Sequence, residues 1–191
     1  TGNAVWKSTI DIRHAQTDLV FESELVGVAS QLPVPLAKAA ASPLALRVEK
    51  TTGEAGRQQF KASLGNVVQA VAIKRADVLE RAAVVLGDGE ARLPDSGVAV
   101  RIALPQFDAD AWQALLGGNG NGAKRGATMP ALDSLSIRTP ALRLMGRDFT
   151  QVEAEIRPRD GGWQIAIVTQ EAAGDLFWRN AGAGSVEGRL R

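Results

Sequence analysis

Leu46-Arg47-Val48-Glu49-Lys50-Thr51-Thr52-Gly53-Glu54-Ala55-Gly56-Arg57-Gln58-Gln59-Phe60-Lys61-Ala62-Ser63-Leu64-Gly65-Asn66 decides how the rest of the chain is read. Leu46 and Val48 alternate with Arg47 and Glu49, and Phe60, Ala62 and Leu64 alternate with Gln59, Lys61 and Ser63. A period of two sends successive side chains to opposite faces of a strand, so each run has one apolar and one polar face. Thr52-Gly53 and Leu64-Gly65-Asn66 supply the turns that end them.

The same alternation extends in both directions. Trp6, Ser8, Ile10 and Ile12 alternate with Lys7, Thr9, Asp11 and Arg13; Val98, Val100, Ile102 and Leu104 with Ala99, Arg101 and Ala103; Trp163, Ile165 and Ile167 with Gln164, Ala166 and Val168. Gly87-Asp88-Gly89 and Asp160-Gly161 read as hairpin turns, because tight β connections require positive φ. Strands joined this way predict a mainly β protein, a long antiparallel meander. Parallel pairing is not expected, since a parallel crossover asks for a helix between strands and the spacing leaves no room for one. Periodicity alone favours an ordinary sandwich of two sheets covering each other over one open sheet.

One stretch departs from the period. Residues 108–116 are good helix formers behind a capping Asp108 and stop at Gly117-Gly118. Trp112, Leu115 and Leu116 fall at i, i+3 and i+4, giving the helix one apolar side that has to be buried. The Gly/Asn-rich stretch 117–127 reads as a solvated loop and as the point where the chain, otherwise one β-rich segment over 1–191, would subdivide. It lacks the Gly-Lys-Ser/Thr ending of a phosphate loop and follows a helix instead of a strand.

Composition narrows the chemistry. Of 191 residues, Lys+Arg number 22 and Asp+Glu 21, a net charge of +1 that lacks the basic excess of a nucleic-acid binder. There is no cysteine, which removes disulfides, thiolate catalysis and zinc–thiolate sites together. His14 is the single histidine and reads as an exposed turn residue, so no His-based triad or His-rich metal site is expected. Glu22 with Glu24 and Glu153 with Glu155 are carboxylate pairs at i, i+2, placed on one solvated strand face and not across a cleft as glycoside hydrolysis requires. Asp108 and Asp110 need no metal, because capping explains Asp108. No catalytic residue, metal or cofactor is assigned. No apolar run reaches the roughly 20 residues that cross a bilayer.

Ser23-Glu24-Leu25-Val26-Gly27-Val28-Ala29-Ser30-Gln31-Leu32-Pro33-Val34-Pro35-Leu36-Ala37-Lys38-Ala39-Ala40 resembles a signature of the YhdP-type, AsmA-like proteins: a strand, Gly-Val, then Leu-Pro-x-Pro-Leu-x-Lys. Phe107-Asp108-Ala109-Asp110-Ala111-Trp112, Leu142-x-Leu-x-Gly146-Arg147, Gly162-Trp163, Ala173-Gly174-Asp175-Leu176 and Gly188-Arg189-Leu190 follow in the same order, so the likeness runs from about residue 5 to 191.

That resemblance implies a segment of a long envelope protein of Gram-negative bacteria, anchored in the inner membrane and periplasmic over most of its length. It implies an open, twisted or curled sheet whose apolar groove passes phospholipid between inner and outer membranes, with no enzymatic step. Arg189-Leu190-Arg191 breaks off inside strand-like sequence, as an excised segment would. The residues expected to touch acyl chains are Phe21, Leu46, Val48, Phe60, Val100, Ile102, Leu104, Leu142, Leu144, Trp163, Ile165 and Ile167, with Trp112, Leu115 and Leu116 of the helix covering part of the groove. Partners are phospholipid or another acyl-chain lipid and the remaining segments of the same chain, with no nucleic acid and no membrane contact through this part. The alternatives are a scaffolding β module that binds a protein partner and a hydrolase working through Glu153 and Glu155.

Overall fold

The computed structural model of the chain describes residues 2–13, 16–53, 56–76, 78–118, 131–179 and 185–191. In chain order its elements are β1 (Trp6–Arg13), β2 (Gln16–Ser23), β3 (Leu46–Thr52), β4 (Arg57–Leu64), β5 (Val68–Arg75), β6 (Val78–Gly87), β7 (Gly97–Ala103), β8 (Phe107–Asp108), α1 (Ala109–Gly118), β9 (Leu132–Leu144), β10 (Arg147–Arg159), β11 (Gly162–Val168), β12 (Ala173–Arg179) and β13 (Ser185–Leu190). All strands join one sheet, ordered β1-β2-β3-β4-β5-β6-β7-β9-β10-β11-β12-β13, with the two-residue β8 paired to β9. The sheet is open: β1 and β13 are its two edges. The exposed area is 13116 Å², against about 8,700 Å² for a compact chain of this mass. The two-sheet sandwich is therefore excluded.

β1 to β6 form one antiparallel meander and β9 to β13 a second. Asp160-Gly161 makes its expected two-residue hairpin with φ of 47° and 76°, and Met145-Gly146 makes another with 53° and 69°.

Between the meanders the expected antiparallel hairpin is replaced by parallel pairing. β7 runs parallel to both β6 and β9. Gly87-Asp88-Gly89 is not a hairpin but the start of a crossover through residues 88–96. Nine residues reach about 30 Å when extended, enough to return along a seven-residue strand of about 23 Å without a helix. Gly87 sits at this junction with φ 89°, and a Cβ there would fall 1.9 Å from the Ala103 carbonyl oxygen, so only glycine fits.

The crossover lies over the polar face. The Arg81 guanidinium donates to the Pro94 carbonyl at 3.2 Å, and Glu90 and Ala91 line a small cleft with Lys61, Ser63, Gln69 and Val71. Beneath it Val71, Ile73, Ala83 and Val85 are buried on a face that is charged elsewhere.

A second irregularity falls in the long hairpin β9–β10. The pairing register is unbroken, yet burial slips by one residue: Thr139 and Leu142 are buried with Pro140 and Ala141 exposed between them, and Val152 is buried with Thr150 and Gln151 exposed. Gln151 has φ 52°, a left-handed conformation that rotates the following side chains. On the facing strand the buried Thr139 hydroxyl donates to the Ala141 carbonyl (2.9 Å) and accepts from the Ala141 amide (3.3 Å). The slip turns Leu142, Leu144 and Phe149 into the cluster formed by Ile102, Leu104, Phe107 and Val152.

Candidate apolar face

Opposed residues in a sheet share a face, so the register assigns every strand position. One face carries Trp6, Ile10, Ile12, Leu19 and Phe21, then Leu46, Val48, Phe60, Ala62, Leu64, Val68, Ala70 and Ala72. It continues through Ala82, Val84, Leu86, Val98, Val100, Ile102, Leu135 and Ile137. It closes with Val152, Ala154, Ile156, Trp163, Ile165, Ile167, Leu176, Trp178 and Val186. The apolar surface is thus continuous from one edge of the sheet to the other. No second layer covers it at the edges: Trp6 is 59%, Ile12 72% and Val186 64% exposed. Trp6 and Phe21 stack on it with ring centroids 4.9 Å apart.

The other face is held by charge. Glu22 lies opposite Arg47 and bonds to it, Arg47 also pairs with Glu49, Glu80 receives Arg57 (3.1 Å) and Arg75 (3.0 Å), and Arg138 lies opposite Glu153 at 3.0 Å. The hydrogen bond to Glu49 raises the Arg47 pKa above its ordinary value, opposed next by desolvation and supported by the hydrogen bond to Glu22. Two broad clefts lie on this polar side, one of about 800 Å³ lined by Arg101, Ser136, Arg138, Glu153 and Glu155 and one of about 730 Å³ near β11–β13 lined by Gln164, Asp175, Phe177, Arg179 and Arg189. Both carboxylate pairs singled out in the sequence have their first or second member ion-paired on this face, Glu22 to Arg47 and Glu153 to Arg138. His14 lies outside the described residues, as do residues 119–130 of the Gly/Asn-rich loop.

The register brings Phe21, Leu46, Val48, Phe60, Val100, Ile102, Trp163, Ile165 and Ile167 to the apolar face. Leu104, Leu142 and Leu144 join it through the central cluster, where Leu104 and Leu142 are buried by the protein itself and Leu144 packs alongside. Phe21, Leu46, Val48, Phe60, Trp163, Ile165 and Ile167 are only half-buried.

The helix begins one residue after Asp108, whose carboxylate accepts the Ala111 amide at 2.9 Å, an N-cap in the expected place. Asp110 does something the sequence did not suggest. Its two carboxylate oxygens accept the Met145 and Gly146 amides at 2.6 and 2.7 Å, tying the first turn of α1 to the β9–β10 hairpin. Trp112 packs on the cluster around Ile102, Phe107 and Leu142, and Leu115 is half-buried; the Leu116 side chain lies outside the described residues. Among the described residues, Trp112 Nε1 is the buried side-chain polar atom without a partner.

The signature loop between β2 and β3 has a structural use for its lysine. Lys38 Nζ donates to the carbonyls of Leu25 (2.9 Å), Val28 (2.5 Å) and Ala39 (3.2 Å), spending all three donors on backbone. Ser30 and Lys38 also pair through their backbones. The loop leaves Val26, Leu32 and Val34 exposed, with Val26 beside Trp6 at the end of the sheet.

No helix among the described residues is long and apolar enough to cross a membrane, and no group of acidic or histidine side chains there has the makings of a metal site. Comparison with known families matches residues 1–191 to one, described as YhdP protein. No curated protein and no solved structure matches the chain.

Proposed function

Because this chain belongs to the YhdP family, and so to an envelope-associated group of proteins, we propose that it is a segment of a periplasmic conduit that binds phospholipid on its apolar face and passes it between the inner and outer membranes. The observation that carries the reading is one apolar surface that runs across twelve strands of an open sheet and is covered only at the central cluster beneath α1. Acyl chains bind such a surface by burial, at about 25 cal/mol per Å² of apolar area, with no demand on hydrogen-bond geometry. The work is binding and passage without covalent chemistry. The charged face keeps the other side of the sheet in water.

Photo-crosslinking groups at Phe21, Val48, Phe60 and Ile165 are expected to capture phospholipid, and groups at Arg47, Lys61 and Gln164 on the polar face are not. Equal labelling of both sets overturns the reading. Native mass spectrometry of the purified chain separates it from a scaffolding role: co-purified lipid supports the conduit, and a lipid-free chain with a tightly bound protein supports the scaffold.

A further inference from the structure

The apolar face is open on both sides of its middle and closed in the middle. One register row runs straight across it: Leu64 lies opposite Val68, Val68 opposite Leu86, Leu86 opposite Ile102, Ile102 opposite Ile137, and Ile137 opposite Ala154. Leu64, Val68 and Leu86 are half-buried, whereas Ile102 and Ala154 are each 7% exposed. Over the middle of this row stands α1, with Trp112 packed on the cluster that contains Ile102. Two features set this cover apart from an ordinary core element. The first is that Trp112 Nε1 is buried without a partner, although a buried indole N–H usually finds one, so the packed position keeps the ring's burial and forfeits its hydrogen bond. The second is the fastening. The Asp110 carboxylate holds α1 through the Met145 and Gly146 amides at 2.6 and 2.7 Å, an exposed contact. Those amides belong to the turn between Leu144 and Arg147, so the contact can open without breaking the β9–β10 ladder.

Resting on the lipid reading above, we propose that Trp112 is an autoinhibitory plug: its ring occupies the place on the row that an acyl chain takes when lipid crosses from β1–β6 to β10–β13, and arriving lipid displaces it. The exchange puts one apolar body over the Ile102 cluster in place of another, so the row stays covered. It also releases the indole N–H to water or to an ester oxygen of the lipid, which the plugged state denies it. Asp110 sets how readily the ring leaves, because its two hydrogen bonds hold the first turn of α1 against the hairpin.

The test places a diazirine side chain at Leu86, beside the plug, or at Phe60, in the open block, and exposes each chain to vesicles of phosphatidylethanolamine and phosphatidylglycerol. Trp112→Ala is expected to raise lipid capture at Leu86 about fivefold, as removing a competing occupant raises apparent affinity, and to leave capture at Phe60 unchanged. Trp112→Phe restores a ring over the cluster and is expected to bring capture at Leu86 back toward wild type. Asp110→Ala, which keeps the ring and removes the fastening, is expected to give a smaller rise at Leu86 alone. A second readout uses the unaltered chain, so it stands even where the alanine variant fails to fold. The sequence has four tryptophans, and the indole N–H signal absent from Trp112→Phe identifies that of Trp112. Adding lipid is expected to move this signal downfield, as a donor gaining an acceptor does. A Trp112 signal that stays in place while lipid is captured at Phe60 overturns the plug. So does capture at Leu86 that is equal in wild type and both alanine variants, or an equal rise at Leu86 and Phe60, which a loosened sheet would give. Capture at Phe60 with none at Leu86 in any variant overturns the plug and leaves the lipid reading standing. No capture at either position in any chain overturns both.

Discussion

β1 to β4 and β5 to β10 are written in the same period-two code, yet they end in different physical states. In the first block Ile10 and Ile12 stand 60% and 72% exposed. In the second lie Val71, Ile73, Ala82, Ala83, Val85, Ile102, Leu142, Val152 and Ala154, all buried. The difference is in what lies above the sheet. Over the second block the 88–96 crossover covers the polar face and α1 covers part of the apolar one, whereas the first block meets only the margin of the crossover on its polar face and has no helix on its apolar one. Alternation makes a strand with an apolar face; a second layer makes that face a core. Where the layer is missing, the same residues remain a surface available to ligand.

The comparison breaks most sharply at α1. Trp112→Ala is expected to destabilise the chain by about 3–5 kcal/mol, as large aromatic truncations in packed sites do, while Trp6→Ala, of a residue largely in solvent, should lose little beyond its stack on Phe21, about 0.5–1.5 kcal/mol. Urea melts of the two variants measure this, and equal losses would remove the distinction between the blocks. Trp112→Phe sharpens the point, because it keeps most of the ring and removes the unpartnered N–H; a buried donor without an acceptor costs about 1–3 kcal/mol, so this variant should fall far short of the alanine loss. Next in size, Asp108→Ala removes the N-cap and should cost about 1 kcal/mol, readable in the same melts.

Ile10→Ala in the uncovered block is expected to shift stability by no more than about 0.5 kcal/mol, the usual size for a surface change, while reducing lipid captured at neighbouring crosslinking positions. The smallest effect is electrostatic. The Thr150 hydroxyl donates to Glu171 at 2.7 Å and is the main reason that the Glu171 carboxyl titrates below the ordinary glutamate range. A depressed folded value means that the stabilisation is present above the unfolded pKa and is lost as pH falls through the folded one. An NMR titration should place the Glu171 midpoint below that of a model glutamate, and Thr150→Val should return it.

Much of the candidate site was legible because facing is a local property. Val48 and Phe60 are each flanked by polar neighbours, and each falls on the apolar face. The Asp108 cap is also local, a side chain reaching three residues ahead. Asp110 was not legible, because the amides it accepts belong to a hairpin 35 and 36 residues away. Nor was the phase slip at the left-handed Gln151 that brings Leu142 and Leu144 into the central cluster.

By itself, the sequence determined the strand runs around residues 6–13, 46–49, 59–64, 98–104 and 163–168, which side of each is apolar, and where α1 starts. These follow from φ/ψ preference, side-chain period and capping, all of which act within a few residues. Only the tertiary structure decided that β7 is parallel to both neighbours, that residues 88–96 cover the polar face, that the β9–β10 hairpin slips in phase, and that a single open sheet, not a sandwich, carries the apolar face. Each of these depends on which distant strand supplies a backbone partner, and backbone N–H and C=O groups are the same in every residue. Side chains select among those pairings only through packing that exists after the sheet has formed.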